Sequence, residues 1–309
     1  MSATERRQRL DVLLVERALS PSRERARAVI MAGAVRVNGK RSDKAGTMVA
    51  EDAVVEVIGP PLRYVSRGGL KLEHALIASG LSPSGRICLD VGASTGGFTD
   101  CLLQHGALHV YAIDVGYGQL DTRLRSDPRV TSCERVNARY LEASHVPEPA
   151  SFVVADVSFI SLQKVLPAIL ARTTPQADIV LLVKPQFEAG RSEVGKGGVV
   201  RSAEVHRRVL RDTIRAVSAL SLQPAGLVAS PISGPAGNVE FLLWCARSVP
   251  SPAADAARPP EADAARPPAV DAARPPEASA QIEGWIDAAV RDAHSLLARV
   301  RKGESTDAR

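Results

Sequence analysis

Between Lys71 and about Arg247 the chain alternates short apolar runs with helical stretches, and this alternation restricts the available folds more than any other feature of the sequence. The runs "RICLDVG", "HVYAIDVG", "FVVADVS" and "DIVLLVK" read as strands buried on both faces, separated by helical segments such as "FTDCLLQHG" and "LQKVLPAILART". The pattern predicts an α/β fold with a doubly wound, Rossmann-like parallel sheet. Towards the end, "AGLVAS" and "NVEFLLWCA" bracket a Gly/Pro loop, which predicts a hairpin and a last strand antiparallel to the others.

Ligands of such sheets sit at the carboxyl ends of the strands. Asp90, Asp114, Asp156 and Lys184 fall at those ends, and the first strand runs into "GASTGGFT", Gly92 to Thr99. This loop approaches two phosphate-binding signatures and completes neither. Phe98 stands where a P-loop has its lysine, and Ser94 where a dinucleotide fingerprint has its second glycine. S-adenosylmethionine has no phosphate and accounts for both departures, with glycine permitting close backbone approach and Asp114 suited to ribose hydroxyls. A glycine loop alone fits several cofactors; Asp90 and Asp114 beside it favour this one.

Four charges lie in apolar surroundings, where an unpaired charge is costly. They are Lys71 in "GGLKLEHAL", Asp156, Lys184, and Glu240 in "NVEFLLW". An antiparallel last strand begins at the edge where the parallel strands end, so Glu240 can join Asp156 and Lys184, and with Lys71 the four form a neutral cluster.

Residues 1–60 read as a smaller α+β unit. Leu10, Leu13, Leu14 and Ala18 recur at helical spacing over Arg9–Leu19, Ser22 is placed to cap a second helix that stops at Gly33, "AVRVNGKR" reads as a hairpin turning at Asn38-Gly39, and "AVVEVIG" closes the unit. Residues 1–50 hold eleven Arg or Lys against five Asp or Glu, a net +6, whereas the whole chain carries +5. Arg23, Arg25, Arg27, Arg36, Lys40, Arg41 and Lys44 cannot all be buried, and such a surface suits a polyanion. A solvated basic face is the plainer alternative.

The segment "RLDVLLVERALSPSRERARAVIMAGAVRVNGK" resembles the S4 RNA-binding domain, which implies recognition of folded RNA through shape and backbone. The ordered set "SRGGLKL", "LDVGASTGGFTD", "AIDVGYGQL", "ERVNAR", "VVADVSFISL", "LVKPQFEAG" and "GNVEFLLW" resembles the TlyA-type, or haemolysin A-like, ribosomal RNA 2′-O-methyltransferases, whose Lys-Asp-Lys-Glu tetrad is shared with FtsJ-like enzymes. The resemblance implies Lys71, Asp156, Lys184 and Glu240 as the catalytic tetrad. It implies S-adenosylmethionine held by Asp90, Gly92, Ala93, Ser94, Thr95, Gly96, Gly97, Phe98, Asp114, Val115 and Asn137. Arg9, Arg23, Lys44, Arg67 and Arg135 become expected RNA contacts, and cytidine ribose of ribosomal RNA, free or in subunits, the expected substrate. No metal is expected: His105 and His109 are separated by Gly106 and a strand start and read as structural.

Residues 250–280 contain eight prolines and three copies of a "DAARPPEA"-like repeat, too poor in apolar surface to order themselves. "IEGWIDAAVRDAHSLLARV" then reads as an amphipathic helix able to dock through Trp285, Ile286, Ala289, Leu296 and Leu297. The expected plan is an RNA-binding unit over 1–60, a connector over 61–66, a methyltransferase unit over 67–249, a disordered insertion over 250–280 and a docking helix over 281–302. The segment Gln186–Ser202, rich in glycine and charge, is expected to be a lid ordered by RNA. Cys88, Cys101, Cys133 and Cys245 form no C-x-x-C pair, and "MSATERRQRLD" lacks the apolar core of a signal peptide, so a reduced cytoplasm is expected; the chain is expected to act as a monomer. No apolar run approaches the roughly 20 residues of a membrane span. That weighs against a pore-forming haemolysin, as the complete tetrad weighs against a non-catalytic RNA-binding factor.

Overall fold

The computed structural model describes residues 6–20, 22–31, 33–58, 63–234, 236–247 and 276–301. In the front unit, β1 (Arg7–Arg9) pairs antiparallel with β4 (Met48–Ala50), while β2 (Val35–Val37) lies between β3 (Lys40–Ser42) and β5 (Val55–Val57). Asn38 and Gly39 take φ of 50° and 76°, the paired left-handed conformation that a two-residue hairpin needs to match strand twist. Helices α1 (Leu10–Glu16) and α2 (Arg23–Met31) cover these strands through Leu10, Leu13, Leu14, Ala26 and Ile30. The first helix ends earlier than its apolar spacing predicts. Ala18 turns left-handed at φ 54°, and the Leu19 and Ser20 amides fold back onto the Leu14 carbonyl. Ser22 does cap α2, its Oγ accepting from the Arg25 amide at 3.1 Å.

The rear unit is one seven-stranded sheet. Its members are β6 (Ile87–Val91), β7 (His109–Asp114), β8 (Val130–Glu134), β9 (Ala150–Ala155), β10 (Thr173–Val183), β11 (Leu222–Ala229) and β12 (Phe241–Arg247), in the order β11-β12-β10-β9-β6-β7-β8. Strands β6 to β10 are parallel, and β12 runs antiparallel to both β10 and β11. Leu89, Val153, Ile179 and Leu181 face one layer, containing α6 (Leu162–Leu170) and α8 (Ala203–Ala219). Cys88, Val154, Val180 and Leu182 face the other, containing α3 (Gly68–Ser79) and α4 (Gly97–Gln104). Helices on both sides explain why these strands read as unbroken apolar runs.

Tyr64 and Val65, expected within the connector, are buried in the rear core. Val65 N donates to Asp100 Oδ2 at 2.8 Å, and Arg25 Nη1 of α2 donates to the Tyr64 carbonyl at 2.9 Å, tying the two units together at this point.

The last helix, α9 (Pro276–Arg301), starts five residues before the expected 281, inside the third repeat copy, so residues 276–280 are helical rather than part of a disordered insertion. Pro276 supplies the preset φ favoured at a first helical position, and Glu277 suits the positive helix end. The rest of the predicted insertion lies outside the described residues. Ile286, Ala289, Val290 and Ala293 bury one face of α9. Arg207–Asp287 at 2.8 Å, Arg211–Glu283 at 2.6 Å and a contact of 3.0 Å between His206 Nδ1 and His294 Nε2 fasten it to α8. Burial, and then the charge of His294, push His206 down to about 4. Stability resting on neutral His206 is full above its ordinary pKa of 6.5 and is lost as pH falls towards 4, by about 3 kcal/mol. Melting curves should show that decline, and His206→Leu should flatten it; an unchanged decline in the variant would place its cause elsewhere.

Candidate active site

The sheet register assembles the four charges. Val183 of β10 stands opposite Phe241 of β12, so Lys184, one step beyond β10, lies beside Glu240, one step before β12. Asp156 follows β9, and its amide donates to the Val91 carbonyl of β6 at 2.8 Å. Lys71 enters from the first turn of α3, whose Leu72, Ala75 and Leu76 are packed into the core. The charges form two ion pairs. Lys71 Nζ meets Glu240 Oε2 at 2.5 Å with both groups buried, and Lys184 Nζ contacts Asp156 Oδ1 while donating to Ser158 Oγ at 2.8 Å.

Two hollows meet at this cluster. The smaller, about 180 Å³, is lined by Lys71, Asp156, Arg67, Gly92, Ala93, Ser94, Thr95, Gly97 and Phe98, by Ile232 and Ser233, and by Ala28 and Met31 of α2. The larger, about 500 Å³, is lined by Gly92, Ser94, Asp114, Val115, Gln119, Val136, Asn137, Asp156, Phe159 and Ile160. Asp156, Gly92 and Ser94 border both. Asp114 is held by two backbone donors, Ser94 N at 2.7 Å and Gly116 N at 2.6 Å.

The glycines of the loop answer first to chain crossings. A Cβ on Gly92, which has φ +87°, would lie 2.3 Å from the Asp156 carbonyl oxygen, so this position admits no side chain while Asp156 stays where it is. A Cβ on Gly97 would meet Ser66 Oγ at 2.2 Å. The loop is thus packed against both the β9 end and the connector. Gly96 borders neither hollow and faces Leu120 and Leu124.

Asp90 differs from its expected placement at a ligand. It lies inside β6, fully buried, on the face opposite Leu89 and Val91, and its Oδ2 accepts from Thr99 Oγ1 of α4 at 2.6 Å. Burial raises its carboxyl to about 7, against the lowering effect of the Thr99 bond. The stability contributed by neutral Asp90 is full below 3.8 and is lost as pH rises through about 7. Asp90→Asn should therefore gain up to about 4 kcal/mol at pH 8 and almost nothing at pH 4. Chemical denaturation at the two pH values checks this, and equal gains at both would refute the assignment.

Of the expected RNA contacts, only Arg67 lines a hollow. Its pKa is lowered by burial and then by the repulsion of Arg41, with Glu240 opposing. Arg135, at φ 60° and exposed, stacks its guanidinium 4.1 Å from the Tyr117 ring centroid beside the larger hollow. Arg9 and Arg23 pair with Asp11 in the front unit, and Lys44 is exposed there. Sequence reasoning missed Gln119, Ser158 and Phe159. Phe159 is the clearest omission: 92% exposed, at φ 64°, with its ring 5.1 Å from that of Phe187. The signal for it was an aromatic three residues beyond a candidate catalytic aspartate. Among the described residues no group of three or more His, Cys, Asp or Glu side chains is arranged to hold a metal, and no helix is long and apolar enough to cross a membrane.

Comparison with known proteins finds relatives of both units. A model of the FtsJ-like methyltransferase matches residues 64–247, and one of the S4 domain matches residues 8–55. The chain is 48% identical over 240 residues to the 16S/23S rRNA (cytidine-2′-O)-methyltransferase TlyA of Mycobacterium tuberculosis, covering 77% of this chain and 90% of that protein. It is 42% identical to Hemolysin A of Brachyspira hyodysenteriae, covering 76% and 98% of the two chains. A Streptococcus thermophilus protein whose solved structure bears a hemolysin name superposes with a TM-score of 0.69 at 38% identity, covering 97% of this chain and 100% of that one.

Proposed function

Since the chain belongs to the FtsJ-like methyltransferase family, we propose that it transfers the methyl group of S-adenosylmethionine to the 2′-hydroxyl of cytidine in ribosomal RNA of one or both subunits. The observation that carries this reading is the placement of Asp156, which borders two hollows at once and is ion-paired to Lys184. The larger is assigned to the donor and the smaller to the acceptor, which puts Ala93, Thr95, Gly97 and Phe98, expected at the donor, on the acceptor wall. The relative from Mycobacterium tuberculosis is named for cytidine 2′-O-methylation of 16S and 23S RNA. The S4 match supports an RNA substrate.

The larger hollow fits the donor. Its volume lies in the range of about 300–1,000 Å³ typical of small-molecule sites, and its polar groups Asp114, Gln119 and Asn137 alternate with Val136, Ile160 and Val165. When bound there, S-adenosylmethionine supplies a methyl group activated on a sulfonium sulfur. Asp114, fixed by its two backbone donors, retains a lone pair on each oxygen for ribose hydroxyls. Asp114→Ala should weaken donor binding by about 10–100-fold, as loss of a charged hydrogen bond implies. Calorimetry giving an unchanged affinity would refute that role.

On the acceptor side, Lys184 Nζ would orient the 2′-hydroxyl; after yielding one proton to the paired Asp156 carboxylate, the neutral amine would take the hydroxyl proton as the O–CH₃ bond forms and the S–CH₃ bond breaks. Lys71 and Glu240, buried as a pair, brace the wall behind it. Phe159, on the wall of the larger hollow, offers an exposed ring on which the donor's adenine can stack. Arg67, Arg135, Arg9, Arg23 and Lys44 are assigned to the RNA backbone, and the segment Gln186–Ser202 to a lid closed by RNA. A monomer acting on ribosomal RNA or a ribosomal subunit, without a metal ion, completes the reading. It is tested by incubating the protein with methyl-labelled S-adenosylmethionine and purified ribosomal RNA. Label should enter the RNA, and RNA left unlabelled both as free RNA and as assembled subunits would reject the proposal.

A further inference from the structure

Asp11 is a carboxylate with no exposure, in the first turn of α1, on the most basic unit of the chain. It accepts bonds from Arg9 Nε and Nη2, both at 2.9 Å, from Arg27 Nε at 3.1 Å and from Arg23 Nη2 at 3.3 Å. Arg9 comes from the end of β1, while Arg23 and Arg27 are one turn apart on α2 and so share a helix face. One buried carboxylate therefore gathers guanidinium groups from two elements. Each of the three remains about half exposed, at 44%, 48% and 49%.

Neutralising Asp11 requires one cation, and three are present. The cluster has its single negative charge inside and its three positive charges outside, a net of +2. Burial alone would push the Asp11 carboxyl up. The bonds from Arg9, Arg27 and Arg23 outweigh it and hold the group well below the usual carboxylate range. The contacts with Asp11 use two of the five N–H donors of Arg9 and one each of Arg23 and Arg27. Guanidinium groups held close together repel one another, and the carboxylate between them offsets that repulsion and fixes their forks before a ligand arrives.

We infer that Asp11 is a positioning residue that builds Arg9, Arg23 and Arg27 into one preorganised site for RNA backbone phosphate. This rests on the proposed RNA substrate. It adds Arg27 to the RNA contacts and assigns a role in RNA binding to an acidic side chain. The consequence runs against simple charge counting. Removing an acid from a unit of net +3 should tighten binding to a polyanion, whereas removing the organiser should weaken it.

The test is Asp11→Asn in the full chain, with affinity for purified ribosomal RNA titrated against salt. Affinity is expected to fall about tenfold, and the slope of log affinity against log salt to flatten by about one unit, the equivalent of one phosphate contact. Donor affinity should not change. Equal or tighter RNA binding by the variant would overturn the inference. Because loss of a buried carboxylate can unfold the front unit, Arg27→Lys provides a second arm that keeps both Asp11 and the net charge. A lysine cannot reproduce the guanidinium fork, so RNA affinity should fall severalfold. An unchanged affinity for Arg27→Lys overturns the inference whatever the first variant does. A wild-type protein that methylates ribosomal RNA while both variants bind it normally would reject this inference alone. Normal RNA binding without methyl transfer, with both variants weakened, would reject the proposed reaction and leave this site standing.

Discussion

Lys184→Ala is expected to lower methyl transfer by about 10²–10⁴-fold, the usual effect of removing a positioned acid–base group, while donor affinity stays within about twofold. Lys184 follows the last residue of β10, at the register position beside Glu240, and its ammonium is fastened to Asp156 and to Ser158 Oγ at 2.8 Å. It lines neither hollow itself and reaches the site through Asp156, which borders both. Loss of the side chain therefore leaves donor binding intact and removes the group that aligns the hydroxyl. The loss should fall on kcat more than on KM, since the contact strengthens as the proton departs. Near-normal turnover would exclude Lys184 from the mechanism.

Removal of residues 1–60 should spare donor binding and reduce methylation of ribosomal RNA by on the order of 10²-fold or more, given the salt-dependent affinity that several phosphate contacts supply. The structure gives two separate reasons. The front unit carries a net +3, concentrated as +6 over residues 1–50, and its helix α2 contributes Ala28 and Met31 to the wall of the acceptor hollow. Truncation removes grip and part of the pocket together. Raising RNA concentration should restore only the first, so activity should remain below wild type at saturating RNA. A truncated chain as efficient as the whole one would show that the front unit is dispensable for recognition.

Much of this site was legible because a doubly wound sheet converts sequence position into space. Uninterrupted apolar runs meant strands covered on both faces, and the strand ends then located Asp114, Asp156 and Lys184. The hairpin reading reversed the last strand and brought Glu240 to the same edge. Asn38-Gly39 specified its turn through backbone conformation alone. What stayed hidden depends on side-chain direction and on packing between distant segments. Asp90 lies one residue before the end of β6, and strand alternation points it under α4 towards Thr99. The loop glycines looked like ligand-approach positions, but Gly92 and Gly97 are limited by Asp156 and Ser66, which are remote in sequence. Tyr64 and Val65 carry no periodicity in a proline-flanked stretch, so their burial could not be read. Nor could the early stop of α1, which depends on Ala18 adopting a backbone conformation that its residue type does not favour.

The most direct test of the account is the identity of the methylated product. Ribosomal RNA treated with the protein and S-adenosylmethionine would be digested to nucleosides and separated by mass spectrometry, alongside RNA treated with Lys184→Ala. The account predicts 2′-O-methylcytidine from the wild-type reaction and a background level from the variant. A methyl group on the cytosine base, or on another nucleoside, or equal product from both proteins, would contradict it.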